Sequence, residues 1–335
     1  MKNNPDYEQL FNKFSKLKVL IIGDVMIDAY LWGKVERISP EAPVPIVQVN
    51  RRANRLGGAA NVALNIRAMG AEPFLCSVIG NDYQANLFLD LLKTDNINQD
   101  GILKSDDRVT TTKFRVIGNS AQMLRVDEEI VKELSQEDQT QFIKKIEQLI
   151  KVNAIDVVIF QDYDKGVLNK HIIEKLMLLF KGKIPVAVDP KKKNFFHYKG
   201  VDLFKPNLKE LQDATNSYFD KKDIDRLKQE VEKLQNKLQA KIFFTTRSEQ
   251  GVYVNEMEKV GFSSEIIPAH VRSIADVSGA GDTVISIAAL GLALKTDKKI
   301  LAELSNLAGG LVCEELGVIP IDKEKLLKET IKIYG

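Results

Sequence analysis

Residues that build disulfide frameworks and zinc sites are scarce in this 335-residue sequence, which has two cysteines and three histidines. Cys76 and Cys313 each lie within an apolar run, which favours buried, reduced thiols. The histidines, His171, His197 and His270, are too scattered to be metal ligands paired at helical spacing. The sequence therefore excludes a disulfide-rich fold and gives no indication of a zinc site.

An excess of one charge and long hydrophobic runs are also missing. The chain has 48 basic and 46 acidic residues, so a net charge of +2 gives no reason to expect nucleic acid or a membrane surface as a partner. No window approaches the roughly 18 to 20 apolar residues of a membrane-spanning helix. Residues 1–6 contain no apolar core of signal-peptide length. We therefore expect a cytoplasmic protein without nucleic-acid or membrane partners.

Three common catalytic signatures do not occur in the sequence. There is no Gly-x-x-x-x-Gly-Lys-Ser/Thr phosphate loop, and the first predicted strand ends in Gly23-Asp24 rather than in Gly-x-Gly-x-x-Gly. The Gly-x-Ser-x-Gly motif of serine hydrolases is missing as well. These absences disfavour P-loop nucleotide hydrolases, dinucleotide-dependent oxidoreductases and serine hydrolases.

Short β-branched runs alternate with longer amphipathic runs, which indicates βαβ units and a mostly parallel sheet. The predicted strands are 18–24, 72–80, 156–160, 184–189, 201–204 and 241–245, and the predicted helices are 58–70, 83–92, 135–151, 169–181, 224–238, 280–294 and 299–316. The apolar spacing over 224–238 also fits a coiled coil. It lasts barely two heptads, however, and a helix that faces the core is favoured.

Two regions interrupt this alternation with strands that no helix follows. Residues 44–49 form one such run, and residues 109–116 and 121–126 form a pair joined by Ile117-Gly-Asn-Ser120, a hairpin signal. We therefore predict one α/β domain over residues 1–335, with a small β-sheet lid near residues 30–50 and 107–128.

The segment Asp276-Val-Ser-Gly-Ala-Gly-Asp282 carries the strongest indication of chemistry. Ser278, Gly279, Ala280 and Gly281 are small enough for backbone N–H groups to point at an anion, and the helix that follows adds its positive N-terminal dipole. Asp282 could accept a proton from an attacking hydroxyl. The alternative interpretation is a capped helix start, because Ser, Gly and Asp are common at such positions.

Further candidate ligand residues lie where predicted strands end and helices begin. Gly57 and Gly58 permit close backbone approach to a ligand, and Asn61 can exchange hydrogen bonds with sugar hydroxyls. Asp24 and Asp28 lie at and just beyond the end of the first strand, where ligands bind in open α/β sheets. Turn and helix-cap roles remain the structural alternatives for these residues.

Two other groups could interact with phosphate. Asn207 and Glu210 fall on one face of a predicted helix start and could orient hydrated Mg²⁺, although a capping box explains them too. Lys113, Arg115 and Arg125 alternate on the predicted lid strands, so they could bind an anionic substrate from one face. Exposed cations on strands are often only solubilising.

In combination, Gly57-Gly-Ala-Ala-Asn61, Asn207-Leu-Lys-Glu210 and Asp276–Asp282 resemble the motifs of the ribokinase-like, or phosphofructokinase-B, carbohydrate kinases, and they occur in the same order. This resemblance implies a ribokinase-like three-layer α/β sandwich that transfers phosphate from ATP to a sugar with Mg²⁺. It also implies that a monovalent cation is an optional cofactor and that the lid strands pair in a homodimer.

The same resemblance implies individual roles. Asp282 would be the base, with the amides of Gly279, Ala280, Gly281 and Asp282 as the anion hole. Asp28, Gly57, Gly58 and Asn61 would hold the sugar. Glu210 would lie near Mg²⁺, through water. The residues implied for the nucleotide are Lys191, Asn207, Glu210, Thr246, Ser248, Gly251, Ser278 and Asn306.

A narrower resemblance is to the heptose-7-phosphate kinases of this family, carried by Gly23–Tyr30, Arg37–Pro45, Leu56–Asn65, Gln122–Asp127 and Asp162–Gly166. It implies phosphorylation of the 1-hydroxyl of D-glycero-β-D-manno-heptose 7-phosphate in ADP-heptose synthesis for the lipopolysaccharide core. The sequence contains no His-x-Gly-His motif, so we expect any adenylyl transfer from a separate protein. Another ribokinase-family sugar or nucleoside kinase is the first alternative, and a catalytically inactive sugar-binding regulator is the second.

Overall fold

The computed structural model describes residues 6–119, 121–270 and 272–335. Its strands, numbered β1 to β13 in chain order, are Lys18–Gly23, Val25–Ile38, Pro45–Gly58, Glu72–Gly80, Ile102–Ser105, Thr112–Gly118, Ala121–Glu128, Val157–Gln161, Val186–Asp189, Leu203–Phe204, Ile242–Thr246, Val252–Met257 and Phe262–Ile267. Its α-helices, numbered α1 to α10, are Tyr7–Phe14, Ala59–Ala68, Tyr83–Thr94, Gln136–Val152, Lys170–Phe180, Leu208–Thr215, Ile224–Leu238, Ala280–Ala293, Lys298–Val312 and Lys323–Tyr334.

The larger sheet has the strand order β13-β12-β11-β10-β9-β8-β1-β4-β5. The strands from β11 to β5 run parallel, whereas β12 and β13 are antiparallel additions at one edge. Because the carboxyl ends of parallel strands meet at one edge of a sheet, residues at the ends of β1, β8, β9, β10 and β11 lie together there. That edge carries the candidate site.

Apolar side chains cover both faces of this sheet, as β1 shows. Val19 and Ile21 belong to the core on the side of α2, α8 and α9, and Leu20 and Ile22 belong to the core on the side of α4, α5 and α7. A strand buried on both faces needs the continuous apolar run that predicted it. Helices on both faces give the predicted three-layer α/β sandwich.

Helix α7 contributes to the second of these cores. Its buried side chains Leu227, Val231, Leu234 and Leu238 lie on one face and pack in that core. The 3-4 spacing of apolar residues therefore belongs to a helix against the sheet, as predicted, and not to a coiled coil.

A second, smaller sheet has the strand order β3-β2-β6-β7. Strands β2 and β3 pair antiparallel along 14-residue strands, β6 runs parallel to β2, and β7 pairs antiparallel with β6. The predicted β6–β7 pairing is present, although Ser120 of the predicted turn lies outside the described residues. Strand β2 falls partly within the predicted lid range of 30–50, but its start was not predicted, because a single residue, Asp24, separates it from β1 and its apolar start resembles a continuation of that strand.

Several short elements escaped prediction. Strands β5, β12 and β13 and helices α1 and α10 have no counterpart in the predicted set, and α9 ends at Val312 rather than at residue 316. These strands have four to six residues and mix apolar with polar side chains, so they lack the continuous apolar run that marks the predicted short strands. None of the described helices is both long and apolar enough to cross a membrane.

Candidate active site

Asp282 lies in the first turn of α8, with its side chain buried beneath the carboxyl edge of the larger sheet. Its Oδ2 accepts a hydrogen bond from Asn61 Nδ2 at 2.8 Å. Its Oδ1 accepts hydrogen bonds from Tyr163 Oη at 2.7 Å and from Gln161 Nε2 at 3.0 Å. Burial raises the pKa of Asp282 to about 7, against the lowering effect of Asn61 and Tyr163. A carboxylate with a pKa near neutrality is suited to general-base catalysis.

The two glycines before Asp282, Gly279 and Gly281, differ in how the structure restricts them. Gly279 caps α8 with a φ of +82°, and a Cβ there would lie 2.9 Å from Asn61 Nδ2. Gly281 is exposed, and a Cβ there would meet its nearest neighbours, Asp189 Oδ2 and Lys205 Nζ, only at 3.8 Å. Gly279 is therefore required by the fold, whereas Gly281 leaves open space beside Asp282.

The amides of this turn are not equivalent. The N–H of Ala280 donates to the carbonyl of Val277 at 3.3 Å, and the N–H of Ser278 donates to Asp276 Oδ1 at 2.9 Å. The amides of Gly281 and Asp282 belong to the first helical turn, whose N–H groups have no acceptor within a helix. An anion beside Gly281 would therefore meet these two amides and the positive end of α8.

A buried ion pair forms the floor next to Gly281. Lys205 Nζ lies 2.9 Å from Asp189 Oδ2, and both side chains are almost completely enclosed. Gln161 Nε2 also donates to Asp189 Oδ2 at 3.2 Å, so Gln161 links this carboxylate to that of Asp282. Gln161, Asp189 and Lys205 end or directly follow three neighbouring parallel strands. The rule that ligands bind beyond such strand ends would have found them.

The structure puts Asp24 beneath the site rather than on its surface. Its carboxylate is fully enclosed and accepts hydrogen bonds from the backbone N–H groups of Tyr163, Lys165 and Val167, at 2.8, 3.2 and 3.1 Å. Asp24 thus anchors the loop after β8 and, because it is fully buried, is not accessible to a sugar. Asp24 follows the end of β1, as predicted, but its side chain points into the protein and not toward a ligand.

Asp28 lies on β2 and forms an ion pair with Arg115 on the neighbouring strand β6. A Cβ at Gly57 would collide with Asp28 Oδ2, which explains why glycine is required at that position. Gly58 has a φ of +61° and ends β3 where α2 begins. Asp28, Gly57, Gly58 and Asn61 therefore lie at the junction between the two sheets, on the side of Asp282.

The three predicted phosphate-binding cations carry acidic partners. Arg115 pairs with Asp28, Lys113 Nζ lies 2.9 Å from Asp127 Oδ2 and 3.0 Å from Glu129 Oε2, and Arg125 binds Asp127 through two nitrogens. Lys113 and Arg115 are largely buried, but 52% of the Arg125 side chain is exposed. They share one face of the second sheet as predicted from alternation, which gave no indication of the carboxylates between them.

Lys191, Asn207 and Glu210 form a second cluster at the start of α6. Asn207 and Glu210 make a reciprocal capping box, in which each side chain accepts the other's backbone N–H at 2.8 Å. The second carboxylate oxygen of Glu210 pairs with Lys191 Nζ. The capping-box interpretation is therefore confirmed, and the cap orients Glu210 toward the lysine that follows β9.

Apart from Ser278, whose N–H binds Asp276, the other predicted nucleotide residues divide into two groups. Asn207, Thr246 and Ser248 line a cavity of about 560 Å³, a size that suits a small ligand. Gly251 and Asn306 instead serve the fold: a Cβ at Gly251 would collide with the carbonyl of Ile267, and Asn306 Nδ2 donates to the Pro268 carbonyl at 2.9 Å.

The arrangement can remove a proton from a hydroxyl group while an adjacent anion is held by amides. Asp282 could act as the base and the start of α8 presents the positive end of a helix, with Lys191 and Lys205, each paired with a carboxylate, nearby. Charge stabilisation of this kind, together with precise placement, is what phosphoryl transfer requires of a protein.

Comparisons with known proteins agree with this chemistry. The family model described as pfkB family carbohydrate kinase matches residues 16–325. The Bifunctional protein HldE of Desulfatibacillum aliphaticivorans is 39% identical over 315 residues, which cover 93% of this chain and 63% of that protein. HldE of Helicobacter pylori strain J99 is 37% identical over 302 residues, 90% of this chain and 63% of its own length. The chain thus spans less than two thirds of these relatives.

Solved structures show the same fold at low sequence identity. Escherichia coli phosphofructokinase-2 in complex with potassium superposes with a TM-score of 0.76 at 17% identity, over 93% of this chain and 97% of that chain. Arabidopsis thaliana ribokinase complexed with ribose and ATP gives a TM-score of 0.70 at 15% identity, over 93% and 99% of the two chains. The ribokinase-like fold is therefore confirmed, and with the family match over nearly its whole length the chain belongs to the pfkB family of carbohydrate kinases.

Proposed function

We propose that the protein transfers the γ-phosphoryl group of ATP to the 1-hydroxyl of D-glycero-β-D-manno-heptose 7-phosphate, as a step of ADP-heptose synthesis. The observation that carries the kinase activity is the buried Asp282 carboxylate. Its pKa is about 7, and it lies beside the open space at Gly281. The choice of heptose rests on the segments that resemble heptose-7-phosphate kinases, and the HldE relatives support it.

In the proposed reaction Asp282 takes the proton of the 1-hydroxyl while its oxygen attacks the γ-phosphorus. The bond from that phosphorus to the oxygen bridging it to the β-phosphate breaks, and ADP leaves with the electron pair. The amides of Gly281 and Asp282 would interact with the transferring group, and Lys191, which is more exposed than Lys205, would offset part of its charge.

The metal expected with ATP is Mg²⁺, held mainly by the phosphates and by water. Among the residues that the structure describes, there is no group of three or more acidic, histidine or cysteine side chains suited to a metal. Both oxygens of Glu210 are engaged, by Lys191 and by the N–H of Asn207, so this carboxylate fits contact with a hydrated ion through water. When bound, Mg²⁺ would neutralise phosphate charge.

The second sheet is proposed as a lid on a single kinase domain, with Arg115, Arg125 and Lys113 directed at the 7-phosphate of the substrate. Arg125 is the most accessible of the three. With ATP as the donor, we expect the reaction in the cytoplasm. A requirement for a monovalent cation is tested by comparing turnover in potassium, sodium and choline chloride.

The experiment that tests the function measures ATP consumption with heptose 7-phosphate, fructose 6-phosphate and ribose, and assigns the product by phosphorus NMR. A kcat/KM for heptose 7-phosphate at least tenfold above the others, with a new phosphate on the anomeric oxygen, is expected. Preference for an unphosphorylated sugar would refute the specificity. ATP turnover that no sugar stimulates would refute the kinase.

We also propose a homodimer through the second sheet. Its edge strand β7 exposes the apolar side chains Met123, Leu124 and Val126, and a second copy of the chain would cover them. Leu124→Arg should convert a dimer to a monomer in sedimentation experiments, while Val260→Arg, at another exposed position, should not. A wild-type monomer at micromolar concentration would refute this proposal.

A further inference from the structure

The loop between β8 and α5 brings a tyrosine to the base. Tyr163 donates its hydroxyl proton to Asp282 Oδ1 at 2.7 Å, and its ring lies 5.6 Å from Lys191 Nζ. Burial of the phenol, together with the nearby Asp282 and Asp189 carboxylates, raises the pKa of Tyr163 well above its ordinary value. The hydroxyl therefore stays protonated at working pH and acts as a hydrogen-bond donor.

The loop that carries Tyr163 is held along its whole length. Asp24 accepts three of its backbone N–H groups, including that of Tyr163, and the Arg108 guanidinium donates to the carbonyl of Lys165. Gly166 closes the loop with a φ of +88°, and a Cβ there would collide with the Lys132 carbonyl. These bonds fix the backbone that carries Tyr163, and the hydrogen bond to Asp282 then orients its phenol hydroxyl.

Donors are divided unequally between the two oxygens of the base. Among the described residues, Oδ1 accepts from Tyr163 and Gln161, which fills both of its lone pairs, whereas Oδ2 accepts from Asn61 alone. A carboxylate oxygen has about two acceptor positions. The position left open is therefore on Oδ2, the oxygen that can receive a proton.

We propose that Tyr163 is a positioning residue for the base, fixing Asp282 so that Oδ2 receives the substrate proton, and that Asp24 acts through it. This inference rests on the proposed function, because it concerns the same base. A hydrogen bond to the ionised carboxylate favours the form that can accept a proton. Without the phenol hydroxyl, Asp282 should bind its own proton more tightly and be available as a base only at higher pH.

Other charged groups that face Asp282 stay in place when the hydroxyl is removed. They are Asp189, which raises its pKa, and Lys205, which lowers it, together with Lys191 across the ring of Tyr163. Because Tyr163→Phe changes none of these charges, the variant isolates the contribution of one hydrogen bond.

The test is the pH profile of kcat for Tyr163→Phe. A rise of about one unit in the pKa of Asp282, a tenfold change in its protonation equilibrium, lowers kcat about eightfold at pH 6.5 and by less than about twofold at pH 9. Tyr198→Phe is the matched control, since Tyr198 donates an equally short 2.7 Å bond to another buried carboxylate, Asp162. Tyr198→Phe should leave the acidic limb of the pH profile, where kcat rises as Asp282 ionises, at the same pH as in the wild-type protein. An equal loss at both pH values, or no loss, would overturn the proposal.

Asp24→Asn tests the anchor of the loop. It should move the acidic limb in the same direction, and adding it to Tyr163→Phe should move the limb no further, because Asp24 acts through the tyrosine. An additive shift in the double variant would overturn the role given to Asp24. Circular dichroism and thermal melts establish that each variant is folded.

A second readout does not depend on turnover. The carboxyl carbon of Asp282 can be titrated by NMR in protein labelled at aspartate, with Asp282→Asn to assign its resonance. An upward shift of this titration in Tyr163→Phe is expected, and an unchanged titration would overturn the inference. If the wild-type protein phosphorylates none of the sugars, the proposed function fails, while this titration still decides the role of Tyr163.

Discussion

Replacing the base should affect activity and stability in opposite directions. In Asp282→Asn the side chain keeps its size but can no longer accept a proton, so kcat should fall by about 10² or more, the usual contribution of general-base catalysis. The same change removes a carboxyl group whose ionisation is unfavourable when buried. Where the wild-type carboxyl is ionised, the Asp282→Asn variant should therefore be less active than the wild-type protein and yet more resistant to unfolding.

The size of the stability effect follows from the pKa of Asp282. Its ordinary value of 3.8 is raised to about 7 in the folded protein. This difference of about 3 units, at about 1.36 kcal/mol each, corresponds to about 4 kcal/mol. A carboxyl with a raised pKa contributes this stability fully below pH 4 and loses it as the pH rises through 7. The variant has no such group and no such loss.

The assay is urea unfolding of both proteins at pH 4 and at pH 8. The difference in free energy of unfolding, variant minus wild type, should increase by about 4 kcal/mol between these two pH values. Constant effects of the amide, such as imperfect hydrogen bonds to Asn61 and Tyr163, cancel in this comparison. A difference that is independent of pH would refute the raised pKa, and near-normal turnover of a folded variant would refute the role of Asp282.

Two more substitutions separate the parts of the site. Gly279→Ala should cost about 1–2 kcal/mol of stability because of its positive φ, and should lower kcat by displacing Asn61, whereas Gly281→Ala should change stability by less than about 0.5 kcal/mol and lower activity alone. Equal stability losses in urea would contradict this distinction. Lys205→Met should cost about 3–5 kcal/mol by leaving Asp189 buried without its cation, and a loss below about 1 kcal/mol would show that this pair is dispensable.

The predicted site residues that the structure brings together include Asn61 and Asp282, at positions where backbone geometry restricts the residue. Asp282 and Asn61 lie in the first turns of helices that follow glycines. Such turns can be recognised in a sequence because few other residues tolerate their geometry. Orientation was less accessible. Nothing local to Asp24 shows that its carboxylate turns inward to a loop more than 130 residues later, and nothing in the alternation of Lys113 and Arg125 identifies their acidic partners. Those contacts depend on tertiary structure.

The ion pairs of the second sheet have a consequence for how a substrate enters. Arg115, Lys113 and Arg125 already hold carboxylates, so a substrate phosphate that binds them as proposed would compete with Asp28, Asp127 and Glu129 as well as with water. Substrate entry is then an exchange of one anion for another. A phosphate dianion can compete in this exchange, whereas a neutral sugar has no negative charge with which to replace a carboxylate beside these cations. The resident carboxylates would thus act as a filter, with discrimination by charge preceding any contact with the base.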